Sequence, residues 1–547
     1  MQDRSVIQWD KTDAAAMGIV KFDLLALGAL NALHLSVDTI ADVHGIDIDL
    51  ATIPQEPIVY EMLTRADTVG VFQVESRAQM ATLPRMKPRT FYDLAVEVAL
   101  IRPGPIQGQS VHPYLRRRNG EEPVQYIHPA AEPILAKTLG VPIFQEQLME
   151  IARVCAGFTP GQSDRLRQAM THKRSEQEMA KLKEEVFDGM TTKGITGGPA
   201  EELWEKLQGF ASFGFPESHS VSFAYIVYAA SWLKYHWPAE FFVGLLNAQP
   251  MGFYSPNSLV ADALHHGVIV LPPDVNRSIH DCTIEPHDSD PHDLAEYLGM
   301  AWRRGMGAAD DPVRQSVALR LGLAYVRNLG DTEITRIEAA RITAGSFATP
   351  EDFAQRTGLS VDAHEGLAAA GAFGSLGLGR RDGMWASGSL KDLGPGRLAL
   401  EDRTTSPQLS TMDGTERMQA DLWSTGISVV HPVSFIRDRL KAHDVFTVAD
   451  ALALHNHNSR IKVAGVVTHR QRPETANGVR FINLEDETGI MNVVMMPVVW
   501  EANYEIARKA VGIVVEGVLE YRDGVTNLVA RRLHEWPAPE IPSRDFR

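Results

Sequence analysis

The sequence predicts a multidomain α/β protein with a large α-rich domain, a region of paired short helices and a small C-terminal β-barrel. Three observations carry this prediction. The chain has 547 residues, more than one compact unit of roughly 100–200 residues would hold. Apolar residues recur at the helical period between about 60 and 250, and they alternate at the period of a β-strand between 459 and 536.

The first 50 residues hold one strand-like run, at 18–23, and one helix-like run, at 24–40. A single strand and a single helix cannot bury their apolar faces by themselves. We therefore expect the chain to begin inside a domain.

The C-terminal alternating pattern consists of five short segments, at 461–467, 481–484, 492–495, 512–519 and 526–530. A helix-like interruption lies near 501–510. Five short strands with one helix between them are typical of a Greek-key barrel of the OB type. The sequence therefore predicts an OB-type β-barrel at this end.

The overall charge limits the functions that the chain can have. Its formal net charge is −16, so the bulk field repels phosphate, and any contact with nucleic acid must come from local basic patches. Cys155 and Cys282 lack the spacing of a zinc site or a disulfide framework, and we expect inert thiols. Apolar runs are shorter than the roughly 18 residues of a membrane span. We expect a cytoplasmic protein that contacts no membrane.

A candidate metal ligand lies in the first strand-like run. Lys21 and Asp23 are two residues apart, so they share one face of a strand where the chain turns into a helix. A carboxylate there can hold a divalent metal ion while the lysine neutralises phosphate. By itself this pattern is more often a solvated ion pair.

Six short motifs decide between these alternatives. They are GIVKFDLL at 18–25, GVFQVES at 70–76, ALIRPGP at 99–105, FQEQ at 144–147, GFPESHS at 214–220 and LPPDVN at 271–276. In this order they resemble the bacterial family C DNA polymerases, the family of the DNA polymerase III alpha subunit. The resemblance covers the chain apart from the linkers near 285–312 and 377–415. The segment 251–256 and the end of the chain soon after the barrel favour the error-prone translesion branch.

The resemblance implies an order of domains that begins with an incomplete palm. The implied domains are a residual palm segment at 1–50, a fingers domain at 51–284, a linker or insertion at 285–317, a tandem helix-hairpin-helix at 318–376, a linker with a small α/β segment at 377–458, an OB-fold at 459–536 and a tail at 537–547.

The resemblance also assigns candidate catalytic residues. Asp23 would be the catalytic carboxylate and metal ligand of a two-Mg²⁺ site. The implied nucleotide-binding residues are Lys21, Arg102, Arg165, Arg167 and His219. Two-metal phosphoryl transfer needs more than one carboxylate, and the P-D-x-D strand that carries the family's other two aspartates is not found in this sequence. We therefore expect the site to be incomplete and the chain to be inactive alone.

Other interpretations of these residues stay open. The predicted helical segment 146–174 ends in a basic cluster, which is either a solvated helix end or a triphosphate site. The resemblance favours the triphosphate. A histidine at the position of His219 is, on its own, more often a capping or packed residue. The segment 47–49 has two aspartates, but we expect a solvated turn there.

The implied DNA-binding residues lie in two places. Arg116 and Arg117 either touch the template backbone or are solvated, since acidic residues follow them. Asn328 and Gly330 lie in a segment that resembles a helix-hairpin-helix turn, where backbone N–H groups hold a phosphate without reading sequence. Asn328 stands where the family usually has glycine, and asparagine tolerates the left-handed conformation.

Three further features carry weaker signals. The aromatic residues at 225, 228, 232 and 235 recur at helical spacing, and we interpret this face as core. The barrel segment is neutral overall, so its role as a template guide follows from the resemblance. The segment 419–423 superficially matches a sliding-clamp peptide, but we expect it to be folded structure.

The preferred hypothesis is an error-prone DNA-directed DNA polymerase that acts in translesion synthesis. The implied partners are primer-template DNA, deoxynucleoside triphosphates and accessory mutagenesis proteins that link the enzyme to the sliding clamp. One alternative is a non-catalytic DNA-binding or scaffold fragment. Another is a translated remnant without activity.

Overall fold

The computed structural model describes most of the chain. The described residues are 9, 17–18, 27–101, 108–171, 176–211, 215–287, 317–390, 393, 409–454, 457–472, 478–522, 525–536 and 544–546. Among them, every helix is too short or too polar to cross a lipid bilayer.

The largest domain is built around a bundle of long helices. Its elements are α1 (Leu27–His44), α2 (Pro57–Thr64), α3 (Arg77–Met86), α4 (Phe91–Leu100), α5 (Gly108–Arg118), α6 (Glu132–Leu135), α7 (Gln145–Ala156), α8 (Pro160–Thr171), α9 (Glu176–Thr192), α10 (Gly198–Ala211), α11 (Glu217–His236), α12 (Pro238–Asn247) and α13 (Pro256–His265). Helix α11 runs through the main core, where Phe223, Val227 and Leu233 pack against apolar residues of the neighbouring helices. This confirms the prediction of an α-rich domain.

A second core lies under α7 to α10. Leu148, Leu166, Val186 and Trp204 are buried there, one from each helix. The prediction of one continuous helical segment at 146–174 is wrong. Helix α7 ends before Gly157, because this glycine has a left-handed φ of 69°. Proline at the first position of α8 fits the start of a new helix.

The next region pairs short helices beside a small sheet. Strands β1 (Ile269–Leu271), β2 (Thr283–Pro286) and β3 (Val317–Arg320) form a sheet in the order β1-β3-β2. Helices α14 (Asp331–Ala344), α15 (Pro350–Thr357), α16 (Val361–Ala370) and α17 (Arg380–Leu390) follow. They share a core that includes Ile337, Phe353 and Leu367.

Between this region and the barrel, the described residues form three α-helices and a short strand. They are α18 (Gly414–Thr425), α19 (Arg437–Lys441), β4 (Val445–Phe446) and α20 (Val448–Ala453). The expectation that 419–423 is folded is confirmed, because it lies inside α18. An aspartate at position 413 caps this helix through a capping box with Glu416.

The barrel has the five predicted strands. They are β5 (Arg460–Gln471), β6 (Arg480–Asp486), β7 (Gly489–Met495), β8 (Gly512–Arg522) and β9 (Val525–Trp536), and β10 (Arg544–Phe546) pairs with β5. The order β5-β6-β7-β9-β8 closes through pairing of β5 with β8. Helices α21 (Pro497–Ala502) and α22 (Tyr504–Lys509) fill the predicted interruption. The expected OB-type barrel is thus confirmed.

The barrel docks on the large helical domain through polar contacts. The Ser258 hydroxyl donates to the Glu485 carboxyl at 3.3 Å, and the Arg77 guanidinium donates to the Asn483 side chain. Nearby, the rings of Phe253 and His469 stack with centroids 4.5 Å apart. Burial raises the pKa of Glu485 to about 7. The two domains therefore meet at a specific surface that buries polar side chains.

Candidate nucleotide and nucleic-acid site

Three of the sequence motifs converge on one side of the helical domain. Phe144 and Phe215 form an isolated parallel β-bridge, which brings the start of α7 beside the start of α11. The Ser220 hydroxyl donates to the carbonyl of Ala95, so α11 also packs on α4. Helix α4 leads directly into the ALIRPGP motif. The structure therefore assembles segments that lie far apart in sequence.

Acidic groups organise this junction. The Glu146 carboxylate accepts the backbone N–H of Glu217 at 2.9 Å and so caps α11. The Tyr92 hydroxyl donates to the Glu217 carboxylate at 2.8 Å, and Lys137 forms an ion pair with the same group. Burial and the nearby Glu217 both raise the pKa of Tyr92. These contacts fix where α7 and α11 begin.

Gln147 of the FQEQ motif has a structural role. Its amide oxygen accepts the backbone N–H groups of Ile143 and Phe144 at 2.9 and 3.0 Å. Its amide nitrogen donates to Thr138 at 2.8 Å. The side chain is buried and has partners on both sides, so it stabilises the helix start rather than offering a group to a ligand.

His219 lies in the first turn of α11, beside the junction. Its ring packs between Phe215 and Phe223, with centroids 5.1 and 4.5 Å away. The residue is half-buried. The ring of His219 is therefore packed against two aromatic side chains and is also partly accessible.

The two arginines of the predicted triphosphate site lie on α8, which belongs to the second core. Arg165 is exposed, and its guanidinium lies 3.9 Å from Glu185. Arg167 lies on the same helix, but its side chain is outside what the structure describes. Asp23, Lys21 and Arg102 lie outside the described residues as well.

One group of side chains in the described residues has the spacing of a metal site. Asp67, Asp262 and His266 place their ligand atoms within 4.8 Å of one another. However, the ammonium of Lys234 lies 2.8 Å from a carboxylate oxygen of each aspartate. The position that a cation would take is therefore filled by the chain's own ammonium. This group does not fit the two-Mg²⁺ site.

The charges of this buried group stabilise one another. Burial opposes the ionised form of Asp67, but His266 and Lys234 outweigh it and hold the pKa of Asp67 well below its usual range. Burial likewise opposes the charged form of Lys234, yet the charges of Asp262 and Asp67 raise its pKa. The group is a structural ion network.

The predicted hairpin turn has the expected backbone. Asn328 has a φ of 64°, which confirms that asparagine adopts the left-handed conformation here. Its side-chain amide donates to the carbonyl of Asp362 at 3.3 Å. The backbone N–H of Gly330 donates to the Glu333 carboxylate at 3.1 Å. Gly330 itself has an extended φ of −106°.

Three family models match the chain in the order of these domains. Residues 29–194 match the bacterial DNA polymerase III alpha subunit finger domain, residues 267–383 match a helix-hairpin-helix motif and residues 461–535 match an OB-fold nucleic acid binding domain. In the first of these ranges the chain is similar to the DNA polymerase III alpha subunit family. The matched finger range covers most of the large helical domain from α1 to α9, and the start of α11 lies beyond it.

Similar proteins of this family carry the name error-prone DNA polymerase. The one from Mycolicibacterium paratuberculosis is 50% identical over 554 residues, which covers 100% of this chain and 48% of the relative. Those from Mycobacterium tuberculosis and Corynebacterium jeikeium are 49% and 48% identical, again over 100% of this chain and over 48% and 50% of the relatives. The chain thus spans about half the length of the curated relatives it matches.

The basic run of the finger domain is largely engaged in structure. Arg117 donates to the carbonyl of Leu139 at 2.7 Å. Arg118 forms an ion pair with Asp93 at 2.6 Å. Arg116 is more exposed and lies 3.3 Å from Glu122. Of the two predicted DNA-binding residues, Arg117 therefore holds the backbone together, while Arg116 keeps an exposed guanidinium.

Sequence reasoning missed a buried acid in the finger domain. Glu97 lies on α4 with no exposed surface, and within the described part of the chain neither of its carboxyl oxygens has a hydrogen-bond partner. Burial raises its pKa to about 8, against the opposing effect of Arg118. Glu97 is therefore mostly neutral at pH 7. The sequence signal that could have revealed this buried acid is its apolar neighbours Val96 and Val98, because they indicate a helix that is buried on all sides.

The aromatic face of α11 is only partly core. Tyr228 is buried and donates to the carbonyl of Pro54 at 2.7 Å, and Trp232 donates to Glu56 at 2.9 Å. Tyr225, in contrast, is 40% exposed.

The two cysteines, Cys155 and Cys282, are free and buried. Burial raises the pKa of both thiols, which agrees with the expectation of inert residues.

Proposed function

We propose that the protein is an error-prone DNA-directed DNA polymerase for translesion synthesis and that these 547 residues supply its fingers, helix-hairpin-helix region and OB-fold. One observation carries the proposal. The chain is about half identical along its whole length to proteins named error-prone DNA polymerase. The order of the three matched modules supports the same assignment.

The finger domain offers a place for the incoming nucleotide near the start of α11. His219 is half-buried in the first turn of this helix, where the helix dipole favours anions. Lys21, Arg102, Arg165 and Arg167 are proposed to neutralise the triphosphate. Because Glu146 already accepts the backbone N–H of Glu217 at this helix start, the proposed binding of the triphosphate depends on these cations.

Asp23 is proposed to hold catalytic Mg²⁺ together with carboxylates of the family's palm. When bound, the metal pair activates the primer hydroxyl and stabilises charge on the transferred phosphoryl group. One carboxylate cannot hold both metals, so we propose that the chain alone extends no primer. The OB-fold and the helix-hairpin-helix region would still bind primer-template DNA.

The wider role includes further partners. We propose that accessory mutagenesis proteins bring the polymerase to the sliding clamp and that it works in the cytoplasm. Direct clamp binding through 419–423 is disfavoured, because these residues form the interior of α18.

Primer extension tests the proposal. The longest polypeptide that the gene encodes is assayed with Mg²⁺ on an undamaged template and on one with an abasic site, beside its Asp23→Asn variant. We expect extension past the abasic site, and we expect the variant to lose extension while its DNA affinity stays within about twofold. Extension that survives Asp23→Asn would remove Asp23 from the catalytic site. Extension by the 547-residue chain alone would contradict the proposed inactivity of the chain.

A further inference from the structure

The turn before α14 carries a single exposed cation. Of the residues at 326–331, only Arg327 is basic, and its side chain faces solvent. The guanidinium carbon lies 4.9 Å from the ring centroid of Trp423 on α18. The Trp423 side chain is itself 42% exposed. Within the described ranges, no carboxylate lies at ion-pair distance from Arg327.

The backbone of this turn is held from two sides. The N–H of Arg327 donates to the carbonyl of Ser424, at the end of α18, at 2.6 Å. On the other side Gly366 of α16 allows close approach, because a Cβ at that glycine would lie 2.3 Å from the carbonyl oxygen of Arg327. Helix α18 is thus part of the turn's surroundings, although it lies outside residues 267–383 of the matched motif.

The usual way for such a turn to hold a phosphate is weakened here. A helix-hairpin-helix turn offers backbone N–H groups near its glycine. The N–H of Gly330 already donates to Glu333. The first turn of α14 also carries the carboxylate of Asp331, whose side chain is 95% exposed. A phosphate at this turn therefore needs a cation close by, and Arg327 is the one that the turn supplies.

We propose that this hairpin contacts a DNA backbone phosphate through the side chain of Arg327 and that Trp423 is the positioning residue for that guanidinium. The ring attracts the guanidinium through its π face and limits its rotamers, so less entropy is lost when the phosphate binds. The ligand is the sugar-phosphate backbone of primer-template DNA, held without regard to sequence. The inference rests on the proposed function, because it assumes that this region meets DNA.

A double-mutant cycle on the 547-residue chain tests the inference. Binding of a fluorescein-labelled primer-template is measured by anisotropy between 50 and 200 mM KCl for four proteins: the unchanged chain, Arg327→Gln, Trp423→Ala and the double variant. Trp385→Ala is the matched control, because Trp385 on α17 is 62% exposed and lies outside the turn. Trp423→Phe tests whether an aromatic ring alone restores binding.

We expect Arg327→Gln to weaken binding about fivefold or more and to lower the slope of log K against log salt by about 0.9, the value for one phosphate contact. Trp423→Ala is expected to weaken binding less, and the double variant to bind no more weakly than Arg327→Gln. Trp423→Phe should recover most of the loss, and Trp385→Ala should bind like the unchanged chain.

The possible failures differ from one another. If the unchanged chain binds DNA but Arg327→Gln has the same affinity and salt slope, the inference alone is wrong. Strictly additive losses from Arg327→Gln and Trp423→Ala would also overturn it, because Trp423 would then act independently of Arg327. If the unchanged chain binds no DNA even at 50 mM KCl, the proposed function fails and the inference falls with it.

Discussion

The ammonium of Lys234 lies 2.8 Å from a carboxylate oxygen of Asp67 in the large helical domain. Lys234 has no exposed side-chain surface and also lies 2.8 Å from Asp262. It links α11, which carries His219 at its other end, to the loop before the GVFQVES motif. The ion network therefore fixes how the longest helix of the domain sits against its neighbours.

Replacement of Lys234 should be strongly destabilising. In Lys234→Met the two partly buried aspartates would lose the cation that they share, and loss of one partner from a buried network costs up to about 3–5 kcal/mol of unfolding free energy. Urea unfolding followed by circular dichroism measures it. Lys509→Met is the control, because Lys509 pairs with Glu505 at the surface, where the side chains are 69% and 71% exposed. Equal stability of the two variants would contradict a structural role for the buried network.

Glu97 should make the finger domain less stable as pH rises. Its pKa is about 8 in the folded chain against 4.5 as the ordinary value, so between these values the folded state holds a proton that the unfolded state has lost. Stability then falls by up to about 1.4 kcal/mol per pH unit. Thermal unfolding of the unchanged chain and of Glu97→Gln between pH 5 and 9 measures the difference.

The Glu97→Gln variant should lose part of this pH dependence and be the more stable protein at pH 8.5. Near pH 5 the two proteins should differ little, because Glu97 is neutral there in the folded state. Parallel curves for the two proteins would mean that Glu97 has its ordinary pKa and a partner that keeps it charged.

Glu485 should make barrel docking sensitive to pH in a narrower window. Burial raises its pKa to about 7 from an ordinary 4.5. The neutral carboxyl therefore stabilises the docked state fully below pH 4.5, and this stabilisation is lost as the pH rises to about 7. Limited proteolysis of the segment between α18 and β5 reports docking. We expect faster cleavage at pH 8 than at pH 6 and a smaller difference in Glu485→Gln. Cleavage that is independent of pH in both proteins would rule this out.

Gly366 should be far less tolerant of a side chain than a glycine elsewhere in the same region. A Cβ at Gly366 would meet the Arg327 carbonyl at 2.3 Å, whereas Gly388 on α17 has no atom within 4 Å of its Cβ position. Gly366→Ala should therefore destabilise the chain by about 1–3 kcal/mol through overpacking. Gly388→Ala should instead stabilise its helix by roughly 0.5–1 kcal/mol. A matched pair of thermal unfolding curves checks the opposite signs.

Local patterns predicted much of the fold. The alternation of apolar residues predicted all five barrel strands, because successive side chains of a strand point to opposite faces of the sheet. It underestimated their length, since β5 runs from Arg460 to Gln471. The break at Gly157 was missed, because the apolar spacing continues from α7 into α8 across a left-handed glycine. Asn328 was predicted correctly, because its turn conformation is a local property.

Contacts between distant segments could not be predicted from local patterns. Arg327 and Trp423 each look like ordinary surface residues until the fold brings α18 beside the hairpin turn. The ion pairs of Lys234 with Asp67 and Asp262 likewise join residues from three separate parts of the chain. The β-bridge between Phe144 and Phe215, which joins the starts of α7 and α11, was not predicted for the same reason.

The most direct test of the account is whether this chain binds primer-template DNA despite its net charge of −16. Affinity is measured by anisotropy over a salt series, with an unrelated acidic protein of similar size and charge as the control. We predict that the chain binds primer-template DNA more tightly than the acidic control does. The logarithm of its binding constant should fall linearly with the logarithm of the salt concentration, with a slope that corresponds to several phosphate contacts. Binding no tighter than that of the acidic control at 50 mM salt would contradict the proposal that this chain is the DNA-holding part of a polymerase.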